Sequence, residues 1–208
     1  MTAILEAIIS PERLGTYMKA VGHDRDRALA MYALNMKLSA SFMPLFSSAE
    51  ICLRNLAMAR ITAVYGPAWW QSPAFFAILG SRGKGIVKRA ENQITHRGTP
   101  VGSGRMTAEL SFGFWENMLL PKYQQDLWSP LHHTFTDLPA PVDQAQLYAK
   151  CGVIRELRNR ISHHEPIFQR NISQDYADCL QLISWLSAAK AVWIKPQCDV
   201  MAVLRRKP

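Results

Sequence analysis

The sequence predicts an all-α fold in a single domain over residues 1–208. Apolar residues recur at three- and four-residue steps along most of the chain, no run alternates strictly between apolar and polar residues, and prolines and capping residues divide the helical stretches. Its 208 residues are 49% hydrophobic and 19% charged, which is typical of one soluble globular domain with a sizeable core. We expect about five to seven helices packed along shared apolar stripes.

Prolines and capping side chains set the predicted helix boundaries. Pro11 suits the first turn of a helix, and Asp24 and Ser173 suit N-caps. Pro44 breaks or kinks a helix, and Pro166 forces another to end at about the residue before it. After a short apolar segment at 3–9, the predicted helices span about 11–21, 24–43, 47–65, 86–96, 106–120, 143–165 and 174–193.

Residues 66–105 differ in composition, because they are rich in glycine, proline, lysine and arginine. We expect a basic, loop-rich insertion here, around one short helix at 86–96. The run GSRGKG at 80–85 lacks both the glycine spacing of a phosphate-binding loop and the Ser or Thr that follows its Lys. The insertion is either a solvated, mobile excursion or a flap that contacts phosphates.

The chain is strongly basic, with 24 Lys and Arg against 16 Asp and Glu and a formal charge of +8. Such a surface favours polyanions, so nucleic acids and anionic membranes are the candidate partners. No stretch approaches the roughly 20 apolar residues that cross a bilayer, and the N-terminus lacks the features of a signal peptide. The four cysteines are far apart in the sequence, which is typical of free thiols in a reducing compartment. We expect a cytoplasmic protein without a membrane partner.

The predicted helix at 143–165 carries a dense cluster of basic and imidazole side chains. On a wheel of about 100° per residue, four apolar side chains face the core: Val153, Ile154, Leu157 and Ile161. The opposite face is polar and contains Arg155, Arg158, Asn159, Ser162 and His163. His164 falls at the edge of the apolar side, so we expect it to point inward and His163 to be the reactive histidine. A helix C-terminus also favours a protonated imidazole.

Arginine and histidine side by side, without a metal, suit phosphodiester transfer in RNA. Histidine can take the proton from a ribose 2′-hydroxyl or deliver one to the leaving 5′-oxygen. The guanidinium can stabilise the charge that grows on the phosphate oxygens, and Asn159 can orient either group. This mechanism predicts one product that ends in a 2′,3′-cyclic phosphate and another that begins with a 5′-hydroxyl.

On spacing alone, this pattern also fits a basic helix face whose terminal histidine stabilises the helix dipole. An Arg and a His separated by four residues form a short pattern with many chance matches. A metal site is disfavoured because the sequence has no His-Glu-x-x-His motif or comparable spacing. We therefore expect no metal and no other cofactor.

Segments distributed along the chain resemble the Abi-like (abortive infection) family of the HEPN superfamily. The most specific is LRNRISHHEPIF at residues 157–168, and the resemblance covers about 10–194 in order. The other similar segments are 9–17, 28–35, 38–39, 50–55, 69–70 and 111–115, with Trp185 and Trp193 in the final helix.

The resemblance implies a HEPN-like helical bundle that acts as an endoribonuclease in phage defence or a toxin–antitoxin system. It places Arg158 and His163 at the catalytic positions, with Asn159 beside the arginine. It also implies a homodimer in which the two motifs meet at the interface, an RNA substrate, and neutralisation by a small structured RNA or a protein antitoxin. The alternatives are a non-catalytic RNA-binding module of such a system and a target or partner of a small nucleotidyltransferase.

A second group of residues could bind RNA or orient the catalytic groups: Glu50, Arg54, Asn55, Arg155, Ser162 and His164. Glu50 and Arg54 are spaced i, i+4, so they form either a structural ion pair or a pair that orients the Arg158–His163 cluster. The aromatic residues Phe112, Phe114 and Trp115 fit the core better than a base-stacking platform. Gly113 between them suggests a close approach of two helices.

Overall fold

The computed structural model describes residues 2–206, and this part of the chain contains helices and no strands, which confirms the all-α prediction. It has more and shorter helices than expected. The α-helices are α1 (Thr2–Ile9), α2 (Pro11–Ala20), α3 (Arg25–Ser41), α4 (Met43–Tyr65), α5 (Pro73–Ile78), α6 (Ser81–His96), α7 (Ser103–Glu109), α8 (Phe112–Asn117), α9 (Gln124–Leu127), α10 (Gln144–Ser162), α11 (Ile172–Leu186), α12 (Ala188–Ile194) and α13 (Val200–Leu204). Short 3₁₀ helices span Trp69–Gln71, Pro121–Tyr123, Leu131–His133 and Lys195–Gln197.

Capping explains why several helices begin where the sequence predicts. The Asp24 carboxylate accepts a hydrogen bond of 3.0 Å from the backbone N–H of Arg27 at the start of α3. Asp143 and Gln146 form a capping box at the start of α10. Pro44 does end the preceding helix, but it lies in the first turn of α4, where its missing N–H costs nothing.

The prediction of a loop-rich insertion at 66–105 is wrong, because most of this segment is helical. Helix α6 begins at Ser81 rather than at about 86 and includes Gly83 and Gly85. Each glycine costs a helix about 1 kcal/mol, but α6 buries an apolar stripe of Val87, Ala90 and Ile94 that offsets this cost. At Gly83, a Cβ atom would lie 3.2 Å from the side chain of Leu79, so glycine suits this close approach.

Two predicted helices are each divided in two. The stretch at 106–120 breaks at Leu110, whose extended backbone separates α7 from α8. The last predicted helix begins after the cap Asn171 rather than Ser173 and stops at Leu186. Ser187 then accepts a hydrogen bond from the N–H of Lys190 and starts α12. Because serine also occurs within helices, its presence in a helical pattern does not by itself predict that it will cap a new helix.

Helix α4 lies at the centre of the fold, where it packs against α8, α11 and α12. Helix α10 crosses the same core between α8 and α11, and the side-chain amide of Gln144 donates to the carbonyls of Leu119 and Leu120, both at 2.9 Å. Lys150 and Asp178 join α10 to α11 at 2.7 Å. Within residues 2–206, no helix combines the length and apolar character that a membrane crossing requires.

The chain segment that follows α10 is hydrogen-bonded to and packed against the N-terminal helices α2 and α3. The buried side chain of Asn35 on α3 accepts hydrogen bonds from the backbone N–H groups of Ile167 and Phe168, at 2.7 and 3.3 Å. Phe168 also packs on the ring of Tyr17, with ring centroids 5.0 Å apart. These contacts fix the C-terminal end of α10, where the candidate catalytic residues lie.

Candidate functional site

Helix α10 presents Arg155, Arg158 and Asn159 to a cleft of about 460 Å³. The opposite walls come from α6, through Arg82, and from α8, through Gly113, Phe114, Glu116 and Asn117. The wheel predicted that these three residues of α10 share a face, and the cleft contains all three. Three guanidinium groups around one cavity can hold a phosphate group or several, since each offers paired N–H donors to phosphate oxygens.

One wall of the cleft is built on an ion pair between Arg155 and Glu116. The Arg155 Nε donates to the Glu116 Oε2 at 2.6 Å, and the Glu116 side chain is only 2% exposed. Its other oxygen, Oε1, is buried without a hydrogen-bond partner among the described residues. Burial raises the pKa of Glu116 above its ordinary value; Arg155 opposes this shift, and the nearby Glu156 adds to it. The buried carboxylate fixes the Arg155 guanidinium at the cleft wall.

A second acid, Glu50 on α4, lies against Arg158. The distance from Glu50 Oε2 to Arg158 Nη2 is 3.5 Å, and both side chains are partly exposed. The structure therefore places Glu50 beside the α10 cluster rather than in a simple i, i+4 ion pair with Arg54. The Arg54 Nε is buried and has no hydrogen-bond partner within the described part of the chain.

The two adjacent histidines both lie outside the cleft. Helix α10 ends at Ser162, three residues before the predicted end, and His163 is its exposed C-cap, with its N–H donating to the Asn159 carbonyl at 2.9 Å. The prediction that His164 points inward is wrong. His164 is exposed with φ of 57°, and its carbonyl accepts a hydrogen bond of 2.7 Å from the Arg13 guanidinium. The helical periodicity does not determine the orientation of His164, because α10 ends at Ser162.

The remaining candidates do not join the cleft. Ser162, the last residue of α10, and Asn55 on α4 are both exposed. Val153 was expected to face the core with Ile154, Leu157 and Ile161, but it is exposed while the other three are buried. The aromatic residues of α8 belong to the core as predicted, since Phe112, Phe114 and Trp115 are all buried.

Two charged residues of the cleft, Glu116 and Arg82, were not among the candidates. Glu116 follows directly on the apolar run Phe112–Trp115, and such a lone acid in a buried helix needs a partner, which is a usable signal. Arg82 belongs to a segment predicted to be loop, so its helix face could not be assigned from the sequence. The approach of α8 to α10 does not require glycine at position 113, because a Cβ there would lie 4.0 Å from Arg155 Cδ, an ordinary van der Waals distance.

Within residues 2–206, no group of three or more His, Cys, Asp or Glu side chains could hold a metal ion. Comparisons of this chain with protein-family models, curated proteins and solved structures gave no match. Function is therefore inferred from the geometry of the cleft and from the residues around it.

Proposed function

We propose that this protein is a metal-independent endoribonuclease of the HEPN type that acts in phage defence or in a toxin–antitoxin system. The observation that supports this most is the position of Arg158 and Asn159 in a cleft with two further arginines, one helical turn before the exposed His163. The cations bind the RNA backbone, and Arg158 stabilises the negative charge of the pentacoordinate phosphate. The resemblance of residues 157–168 to the Abi-like motif supports the assignment to this class.

In this proposal, the imidazole of His163 takes the proton of the ribose 2′-hydroxyl and the resulting imidazolium returns a proton to the leaving 5′-oxygen. The 2′-oxygen bonds to phosphorus, the bond to the 5′-oxygen breaks, and a cyclic phosphate remains. His163 does not line the cleft of its own chain. We therefore propose a homodimer in which His163 of a second chain completes the site, for which its exposure at the end of α10 is suited.

One observation favours the alternative of a non-catalytic RNA-binding module. Among the described residues, no histidine lines the cleft that contains the arginines. If no second chain supplies a histidine, the cleft binds RNA, such as a regulatory RNA, without cleaving it. Binding would then be salt-sensitive, and expression of the protein would not arrest growth.

The deciding experiment is cleavage of RNA by the purified protein in the presence of EDTA, with analysis of the product ends. We expect 2′,3′-cyclic phosphate and 5′-hydroxyl ends from the wild type and none from His163→Ala. His133→Ala is the matched control, because His133 is exposed on a different element. Cleavage that requires a divalent metal, or that persists in His163→Ala, would overturn the proposal.

A further inference from the structure

A smaller cavity of about 110 Å³ adjoins the cleft. The two cavities share four lining residues, Arg82 and Ile86 of α6 and Phe114 and Asn117 of α8, so they lie next to each other along these two helices as one elongated surface feature. We call this the α6–α8 groove. It runs from Arg158 and Asn159 at one end to Lys122 at the other. There, Lys122 Nζ lies 3.7 Å from the position that a Cβ on Gly80 would occupy.

The charges along the groove are mostly positive. Arg155 and Arg158 are each paired with an acid, at 2.6 and 3.5 Å. Among the described residues, Arg82 forms no side-chain hydrogen bond or ion pair, and Lys122 is placed 4.6 Å from the ring centroid of Tyr123. Glu116 is the one acid that lines either cavity within this part of the chain. Cations at both ends of an elongated groove suit a ligand with several phosphates rather than a single anion.

The walls of the smaller cavity are largely apolar, with Ile86, Phe114, Met118 and Tyr123 among them. Its volume is well below the roughly 300 to 1,000 Å³ of a drug-sized ligand pocket. It can therefore admit one flat ring but not a base pair. A basic track with apolar or aromatic walls for single bases is the usual arrangement for binding single-stranded nucleic acid.

We propose that the α6–α8 groove is a subsite for single-stranded RNA, in which Arg82 and Lys122 bind phosphates next to the one held at Arg158 and the smaller cavity receives one base. This inference rests on the proposed function, because it extends the same site. It gives Arg82, in the first turn of α6, a direct role in substrate binding.

The test measures binding of a 2′-O-methyl RNA of about eight nucleotides, which lacks the hydroxyl needed for cleavage, by fluorescence anisotropy at several salt concentrations. Removing one phosphate-binding cation reduces the slope of log affinity against log salt by about 0.7. Arg82→Ala/Lys122→Ala should therefore reduce the slope by about 1.4, so that between about 50 and 200 mM salt the wild type loses about sevenfold more affinity than the variant. Arg82→Lys/Lys122→Arg keeps both charges and should restore most of the slope.

Lys84→Ala removes one positive charge from α6 and is the matched control for the single variant Arg82→Ala. Lys84 is exposed, lies about 200° around the helix from Arg82 and lines neither cavity. Unchanged binding by Arg82→Ala/Lys122→Ala, or equal losses in Arg82→Ala and Lys84→Ala, would overturn the groove assignment and leave the cleavage experiment unaffected. Groove-dependent binding without cleavage of ordinary RNA would support the groove and overturn the nuclease proposal.

Discussion

The Arg155 Nε and the Glu116 Oε2 lie 2.6 Å apart, and they join α10 to α8 across 39 residues of sequence. The carboxylate of this pair is buried, whereas the guanidinium is 38% exposed in the cleft. The pair therefore positions a cation for a ligand at the cost of burying an acid. Neither helix alone indicates this arrangement.

The difference in stability between Glu116→Gln and the wild type should shift in favour of the variant as the pH rises. Burial raises the pKa of Glu116 above its ordinary value of 4.5, so the folded chain holds this proton more tightly than the unfolded chain does. This tighter proton binding stabilises the folded wild type. Its contribution is fully present below pH 4.5 and is lost as the pH rises through the folded-state pKa of Glu116. Glutamine does not titrate and avoids this loss.

The measurement is the melting temperature of both proteins from about pH 4 to pH 7. We expect the difference between Glu116→Gln and the wild type to shift steadily in favour of the variant over this range. Glu165→Gln removes an acid from a partly exposed pair with Arg160 and is the control for a generic charge effect. A difference for Glu116→Gln that does not change with pH would contradict the assignment.

Asn35→Ala should destabilise the protein by about 2 kcal/mol, because it leaves the buried N–H groups of Ile167 and Phe168 without an acceptor. For a chain of this size, that corresponds to a decrease of roughly 4 to 8 °C in melting temperature. Thermal unfolding followed by circular dichroism tests this. Asn92→Ala, an exposed position on α6, should change little; equal effects of the two substitutions would refute the role of Asn35.

The face of α10 could be read from its sequence because residues 154–161 keep a regular helical period and their environment is set by that period. The orientation of His164 could not be predicted, because the chain leaves the helix at Ser162 and the Arg13 guanidinium, 151 residues away, binds the His164 carbonyl. Arg82 was missed for a related reason. Its glycine-rich surroundings favour a loop, and only burial against the rest of the fold makes α6 helical.

Arg158→Ala should reduce RNA cleavage by roughly a hundredfold or more, in line with the loss of one group that stabilises transition-state charge. Arg160→Ala is the matched control. It removes the same charge from the same helix, but Arg160 is exposed, pairs with Glu165 and does not line the cleft. Values of kcat/KM for a defined RNA measure both effects. Similar losses in the two variants would indicate that net charge, and not the position of Arg158, is responsible.

A mixture of Arg158→Ala and His163→Ala chains should recover activity that neither variant has alone. If His163 of one chain completes the cleft of the other, each mixed dimer retains one intact site, and random association gives about a quarter of the wild-type activity. The two variants, co-expressed with different tags and purified together, are assayed on RNA. The control is a mixture of Arg158→Ala chains with Arg158→Ala/His163→Ala chains, which contains no intact site. No recovery in the first mixture, despite confirmed mixed dimers, would exclude a site shared in this way, since the exposed His163 of one chain would then not be serving the cleft of its partner.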